Sequence, residues 1–159
     1  MPSFALRSLA AAAISLVFAA PAAAQSLSEM EQRSAVIADR YLAVWSSSDE
    51  LSIDGVPYVY GPRVTFYGRS MDWRGLAAEK RRAVRRWPVR SYGHRPGSMN
   101  VICNGDTRRC AVRSIIDYRV ANPGSGRRAS GAATFDLGIS FAGPKPVILY
   151  EGGRPLRRG

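Results

Sequence analysis

The sequence predicts an α+β domain, with helices gathered early in the chain and packed on one face of a curved antiparallel sheet formed by the rest. Two observations carry this. Apolar residues recur at helical spacing in two segments before Pro88, and beyond Pro88 they alternate with polar ones through a region rich in Gly and Pro. No internal repeat or low-complexity segment interrupts the order after residue 24.

Ser28-Glu29-Met30-Glu31 reads as a capping box, in which a serine hydroxyl and a glutamate carboxylate satisfy free N–H groups at a helix start. The helix it opens places Met30, Ile37, Tyr41, Val44 and Trp45 on one stripe, with Ser34 in the gap, and Arg33, Asp39 and Arg40 on the other face. Ser46-Ser47-Ser48 ends it. Residues 49–61 read ambiguously, between a loop and a short helical turn interrupted by Gly55 and Pro57, before Arg63-Val64-Thr65-Phe66-Tyr67 alternates as a strand and Gly68 turns the chain. From Asp72 to Trp87 the spacing is helical again, with Trp73, Leu76, Ala77, Val84 and Trp87 on one stripe, and Pro88 stops it. Strands are expected at 89–95, 98–104, 109–120, 130–142 and 146–151, with Asn122-Pro123-Gly124-Ser125-Gly126 as a loop between two long ones.

Arg7 is the only charge in residues 1–24, where an apolar run from Leu9 to Ala20 leads to Pro21 and Ala22-Ala23-Ala24. This is the build of a secretory signal, and an apolar run of about 12 residues falls short of the roughly 20 that span a bilayer. Cleavage is expected after Ala24, leaving residues 25–159 as one periplasmic or secreted domain with no transmembrane segment. That domain is strongly basic, since the whole chain has 23 Lys and Arg against 12 Asp and Glu and only Arg7 is removed. Export takes nucleic acid away as an everyday partner. Cys103 and Cys110, six residues apart around an Asn-Gly turn signal, are expected to face each other across a hairpin as a disulfide, stabilising the fold by about 2.5 kcal/mol on a chain-entropy estimate. Redox motifs place two residues between their cysteines, and a chain whose one histidine is His94 cannot easily complete a zinc site.

A long first helix ending in an aromatic, a strand reading VTFYG, a helix containing EKRR and closing on RWP, and then long antiparallel strands together resemble the nuclear transport factor 2-like superfamily, also called SnoaL-like or cystatin-like. The resemblance covers Gln25 to Arg158 and is closest to small secreted bacterial members of unassigned activity. It implies helices on the concave face of the sheet, forming a cone, and homodimers through the sheet. It also implies that enzymes of this kind carry an acid or a histidine inside the cone, although fold alone does not choose a function.

Strand alternation tests that expectation. Val112, Ile116, Tyr118 and Val120 share one face while Arg113, Asp117 and Arg119 share the other, and Asp136 lies opposite Phe135, Leu137 and Ile139. Both aspartates are expected to point outward and meet arginines. His94 shares a face with Arg90 and Tyr92 and is the weak catalytic candidate. No Gly-x-Ser-x-Gly elbow, metal-ligand spacing or phosphate loop is present, so neither a cofactor nor a metal is expected.

Lys80 falls on the apolar stripe of its helix, seven residues from both Trp73 and Trp87. A lysine there is expected to snorkel to the rim of the cone and meet a ligand, with Tyr41, Trp45, Tyr58, Tyr60, Trp73 and Tyr92 around the same opening. Arg81, Arg82, Arg85 and Arg86 form a basic strip on the opposite face, with Glu79 placed to pair with Arg82. The resulting expectation is a non-catalytic binding module, holding a small apolar or anionic ligand in the cone or docking a protein on its sheet. The alternatives are an adaptor for anionic cell-envelope material through the arginine strip, and an isomerase or dehydratase using His94.

Overall fold

The structure is a computed structural model that describes residues 26–47 and 51–157. The expected signal segment and Ser48 lie outside the described residues. The order is α1 (Leu27–Ser46), α2 (Leu51–Asp54), α3 (Val56–Val59), β1 (Tyr60–Phe66), β2 (Arg69–Asp72), α4 (Trp73–Arg86), β3 (Val89–His94), β4 (Asn100–Asn104), β5 (Arg109–Asn122), β6 (Arg127–Ser140) and β7 (Val147–Gly152), with one short 3-10 turn at Pro123–Ser125.

The capping box of α1 sits two residues earlier than its sequence signature suggested. Ser26 Oγ accepts from Glu29 N–H at 3.1 Å, and the Glu29 carboxylate accepts from Ser26 N–H at 3.2 Å. The buried stripe of α1 is Met30, Ser34, Ala38, Tyr41, Leu42 and Trp45, so Val44 lies outside the core at 46% exposure. On α4 the buried residues are Leu76, Lys80 and Val84, at i, i+4 and i+8. Asp72 caps its start by accepting from Gly75 N–H at 2.8 Å.

The sheet has seven strands and is mixed, where an all-antiparallel sheet was expected. Its order is β2-β1-β7-β6-β5-β3, and β4 also pairs with β5. Every pairing is antiparallel except β1 with β7, which is parallel. Strand β2 did not announce itself in the sequence; it forms because Tyr67 and Gly68, at φ 47° and φ 80°, make a two-residue hairpin turn from β1. Strands β3 and β4 lie end to end along one side of β5, and Cys103 and Cys110 occupy directly opposed positions in β4 and β5, joined by the expected disulfide.

One irregularity decides what faces the interior. Against β6, Ile139 pairs with Ile148 while Gly138 pairs with Tyr150, so Leu149 is an extra residue in β7. Its side chain leans over Gly61, where a Cβ would come within 2.5 Å of it. Beyond that bulge the alternation of β7 reverses: Ile148 and Glu151 are both buried and Tyr150 is exposed.

Candidate functional site

Four elements deliver one polar cluster to the middle of the cone. Tyr41 comes from α1, Tyr60 from the start of β1, Lys80 from α4 and Glu151 from β7. The Lys80 ammonium donates to Glu151 Oε1 at 2.8 Å, to Glu151 Oε2 at 2.9 Å and to the Tyr41 hydroxyl. Tyr60 donates to Glu151 Oε2 at 2.6 Å, and its hydroxyl lies 3.3 Å from that of Tyr41. With the Tyr60 proton committed to Glu151, the Tyr41 proton is free to complete the contact between the two hydroxyls. Lys80 and Glu151 are 6% and 4% exposed, so this is an ion pair held in the core.

Aromatic rings enclose the charge. The Lys80 Nζ lies 4.4 Å from the ring centroid of Trp45, 5.0 Å from Phe66, 5.1 Å from Tyr41 and 5.8 Å from Tyr60. Each ring face attracts a cation, and the attraction grows once water is excluded. The snorkelling expected of Lys80 therefore does not occur: the side chain turns inward, because Glu151 offers a partner there that a purely apolar interior would lack.

Burial sets the protonation of this cluster. It pushes the Tyr41 and Tyr60 hydroxyls well above the usual tyrosine range, and the neighbouring Glu151 charge adds to the effect. Tyr92 is raised as well, again chiefly by burial. Lys80 is lowered by burial, while Glu151 pulls it back through its charge and its hydrogen bond.

These shifts carry a testable sign. Tyr41, Tyr60 and Tyr92 each contribute stability that is complete below the unfolded value of 10.0 and is lost as pH rises beyond it. Lys80 acts oppositely, since its lowered value makes stability rise with pH toward its unfolded 10.5, but it is one group against three. Phenolate absorbance during alkaline titration is expected to lag behind that of the urea-unfolded chain and to catch up only as the protein unfolds. Superimposable curves would refute the buried cluster.

Beside the ion pair lies a cavity of about 230 Å³, walled by Tyr41, Trp45, Phe66, Tyr67, Tyr92 and Phe135, with Lys80, Glu151 and Arg90 also on its lining. It brings together Tyr41, Trp45, Lys80 and Tyr92 of the sequence-derived set. A second cavity of about 220 Å³ opens on the other side of Tyr41 and Trp45, lined also by Tyr58 and Tyr60. Trp73 lines neither; it is 39% exposed, and its indole N–H donates to the Tyr60 carbonyl at 3.2 Å. Glu151 is the site residue that sequence reading missed, because its inward orientation depends on the bulge at Leu149.

His94 does face inward, opposite Ile116, yet it lies apart from this cavity. Its Nδ1 is 2.8 Å from the Ser114 hydroxyl, its Nε2 is 3.7 Å from Asp39 Oδ1, and its ring packs edge-on against Phe135. Asp117 is exposed and accepts from Arg95 at 2.7 Å, and Asp136 lies 3.5 Å from Arg113, so both aspartates meet arginines on the outer face. Arg81, Arg82, Arg85 and Arg86 are exposed on α4, and Arg82 pairs with Glu79 at 2.6 Å. Among the described residues no group of three His, Cys, Asp or Glu comes together to hold a metal ion, and no helix is long and apolar enough to cross a membrane.

The cone architecture matches solved structures. A nuclear transport factor 2-like superfamily protein from Salmonella enterica serovar Typhimurium aligns with TM-score 0.69 at 9% identity, over 84% of this chain and 95% of that one. A protein from Novosphingobium aromaticivorans, provisionally named an aromatic ring hydroxylase, aligns with TM-score 0.71 at 10% identity, over 84% and 94%. An uncharacterised Caulobacter vibrioides protein with a cystatin-like fold aligns with TM-score 0.60 at 8% identity, over 79% and 87%. The chain has the nuclear transport factor 2-like fold, and at these identities the likeness speaks for fold alone. No protein-family model and no curated protein matches the sequence.

Proposed function

We propose that this chain is an exported binding module that takes a small, largely apolar ligand, about one aromatic ring in size, into the 230 Å³ cavity of the cone without catalysing a reaction on it. The observation that carries the reading is the saturation of the Lys80–Glu151 cluster. Lys80 has three protons and three acceptors for them, and Glu151 also receives the Tyr60 proton. Ring faces then dominate the surface left to a ligand, which suits an uncharged, flat molecule. The export signature of residues 1–24 supports a place in the periplasm or outside the cell.

A buried carboxylate in the cone also favours a second reading, an isomerase or dehydratase with Glu151 as its base. That chemistry requires a substrate group to displace Lys80 or Tyr60 from the carboxylate.

The Trp45 indole resonance reports occupancy of the cavity. Titration with 4-methylphenol, followed by NMR, is expected to give a saturable shift of that resonance. Ala83→Trp, at an exposed position on the cavity lining, should abolish the shift and leave the melting temperature near that of the parent. No saturable shift, or one that survives this block, would sink the reading. Turnover of a bound compound that is lost in Glu151→Gln would put the enzyme first.

A further inference from the structure

The arginine strip of α4 is one part of a larger basic surface. Asn122, at the end of β5, donates to the carbonyls of Arg86 at 3.2 Å and Arg85 at 3.5 Å, which fixes the tip of the β5–β6 hairpin against the C-terminal end of α4. The hairpin adds Arg127, whose guanidinium lies 5.2 Å from the Trp87 ring centroid, and Arg128 on the outer face of the sheet. Across that face, Val89 pairs with Ala121 and Ser91 with Arg119, while Ala121 pairs in turn with Arg128. Arg119 and Arg128 are thus diagonal neighbours. Between them lies an open depression of about 590 Å³ whose lining holds no carboxylate.

Among the described residues, Arg81, Arg85, Arg86, Arg119 and Arg128 form no ion pair, and Arg119 feels the Asp117 charge only at a distance. Asp117, two residues from Arg119, is bonded to Arg95 at 2.7 Å, and Glu79 is shared between Arg69 and Arg82. Arg81, Arg85, Arg86, Arg119 and Arg128 are all exposed, and apolar surface lies among them, with Val89 at 55% exposure and Trp87 half-buried. Clustered guanidinium groups around a small aromatic and aliphatic patch suit a plane of anionic headgroups, where the arginines meet phosphates and the apolar residues enter the interface.

We propose that this end of the molecule, from the C-terminal end of α4 to the tip of the β5–β6 hairpin, docks on an anionic phospholipid surface. The docking is independent of the cone, so either activity can fail without the other. The arginines supply attraction and Val89 with Trp87 supplies insertion. A polyanionic duplex would use the charge but not the exposed valine, which is why lipid is the better fit.

Co-sedimentation with phosphatidylcholine vesicles, with and without phosphatidylglycerol, tests this. The protein is expected to bind only the anionic vesicles, with affinity falling steeply as salt rises. Neutralising Arg119, Arg127 and Arg128 together to glutamine should weaken binding about a hundredfold, at roughly fivefold per arginine. Val89→Ser should weaken it as well. A control triple of the same charge change elsewhere, Arg63→Gln with Arg74→Gln and Arg109→Gln, should retain binding. Equal binding to neutral vesicles, or an equal loss in the control triple, overturns the proposal. So does displacement by millimolar inorganic phosphate, which would mark a site for the free anion, and so does tighter binding of duplex DNA by the same arginines.

Discussion

Replacing Glu151 by glutamine is expected to cost about 3–5 kcal/mol of folding stability, read from urea denaturation, because it leaves the Lys80 ammonium buried without a counter-charge. The aromatic rings around Nζ soften that penalty but do not replace a carboxylate accepting two of its protons. Lys80→Met should be comparably harmful, since it strands the carboxylate. The double variant Lys80→Met with Glu151→Leu should recover most of the loss, as two apolar side chains fill the same space without a desolvation cost. A double-mutant cycle reads the coupling directly. Simple additivity of the two single losses would show that the charges do not depend on each other, contrary to the observed geometry.

The second large effect is expected at Arg90, which is 6% exposed on the inner face of β3. Its guanidinium donates to the carbonyls of Trp45 at 3.0 Å, Ser47 at 2.6 Å, Trp87 at 2.8 Å and Pro88 at 3.3 Å. These oxygens belong to the ends of α1 and α4, so one side chain satisfies the open carbonyls of two helices and sets a positive charge at both negative ends. Arg90→Met removes the partner of one buried and three half-buried carbonyls at once and should cost about 3 kcal/mol, seen as a lower melting temperature by circular dichroism. Arg90→Lys should rescue little, because an ammonium cannot span both helix ends as the planar fork does. Full rescue by lysine would mean that charge alone matters there.

Much of this architecture was legible from the sequence, and the exceptions share a physical cause. Periodicity located α1, α4 and every strand after Pro88, because each is half-buried and its pattern is imposed by the core. The same rule correctly turned Asp117 and Asp136 outward. It left the facing of His94 open, because Pro96-Gly97 interrupts the register beside it, and the structure turns the ring inward against Phe135. It failed at Glu151, since alternation presumes an unbroken strand and the extra residue Leu149 reverses the faces between Ile148 and Glu151. A bulge leaves no period of its own. Lys80 was recognised as out of place on an apolar stripe, but its destination depended on the partner that the bulge concealed. Strand β2 went unread because a four-residue edge strand, with a buried pattern of one half-covered residue, carries too little periodicity to register.

The parallel pairing of β1 with β7 has a consequence for how the chain reaches this shape. Strand β7 is late in the sequence yet lies between β1 and β6, joining the β1–β2 hairpin to the rest of the sheet. Until residues 147–152 emerge from the ribosome, those two parts share no ladder, and the lysine of α4 has no counter-ion. Assembly of the seven-stranded sheet and pairing of the buried lysine therefore wait on the same six residues, so one late step completes both the ladder and the charge balance of the interior.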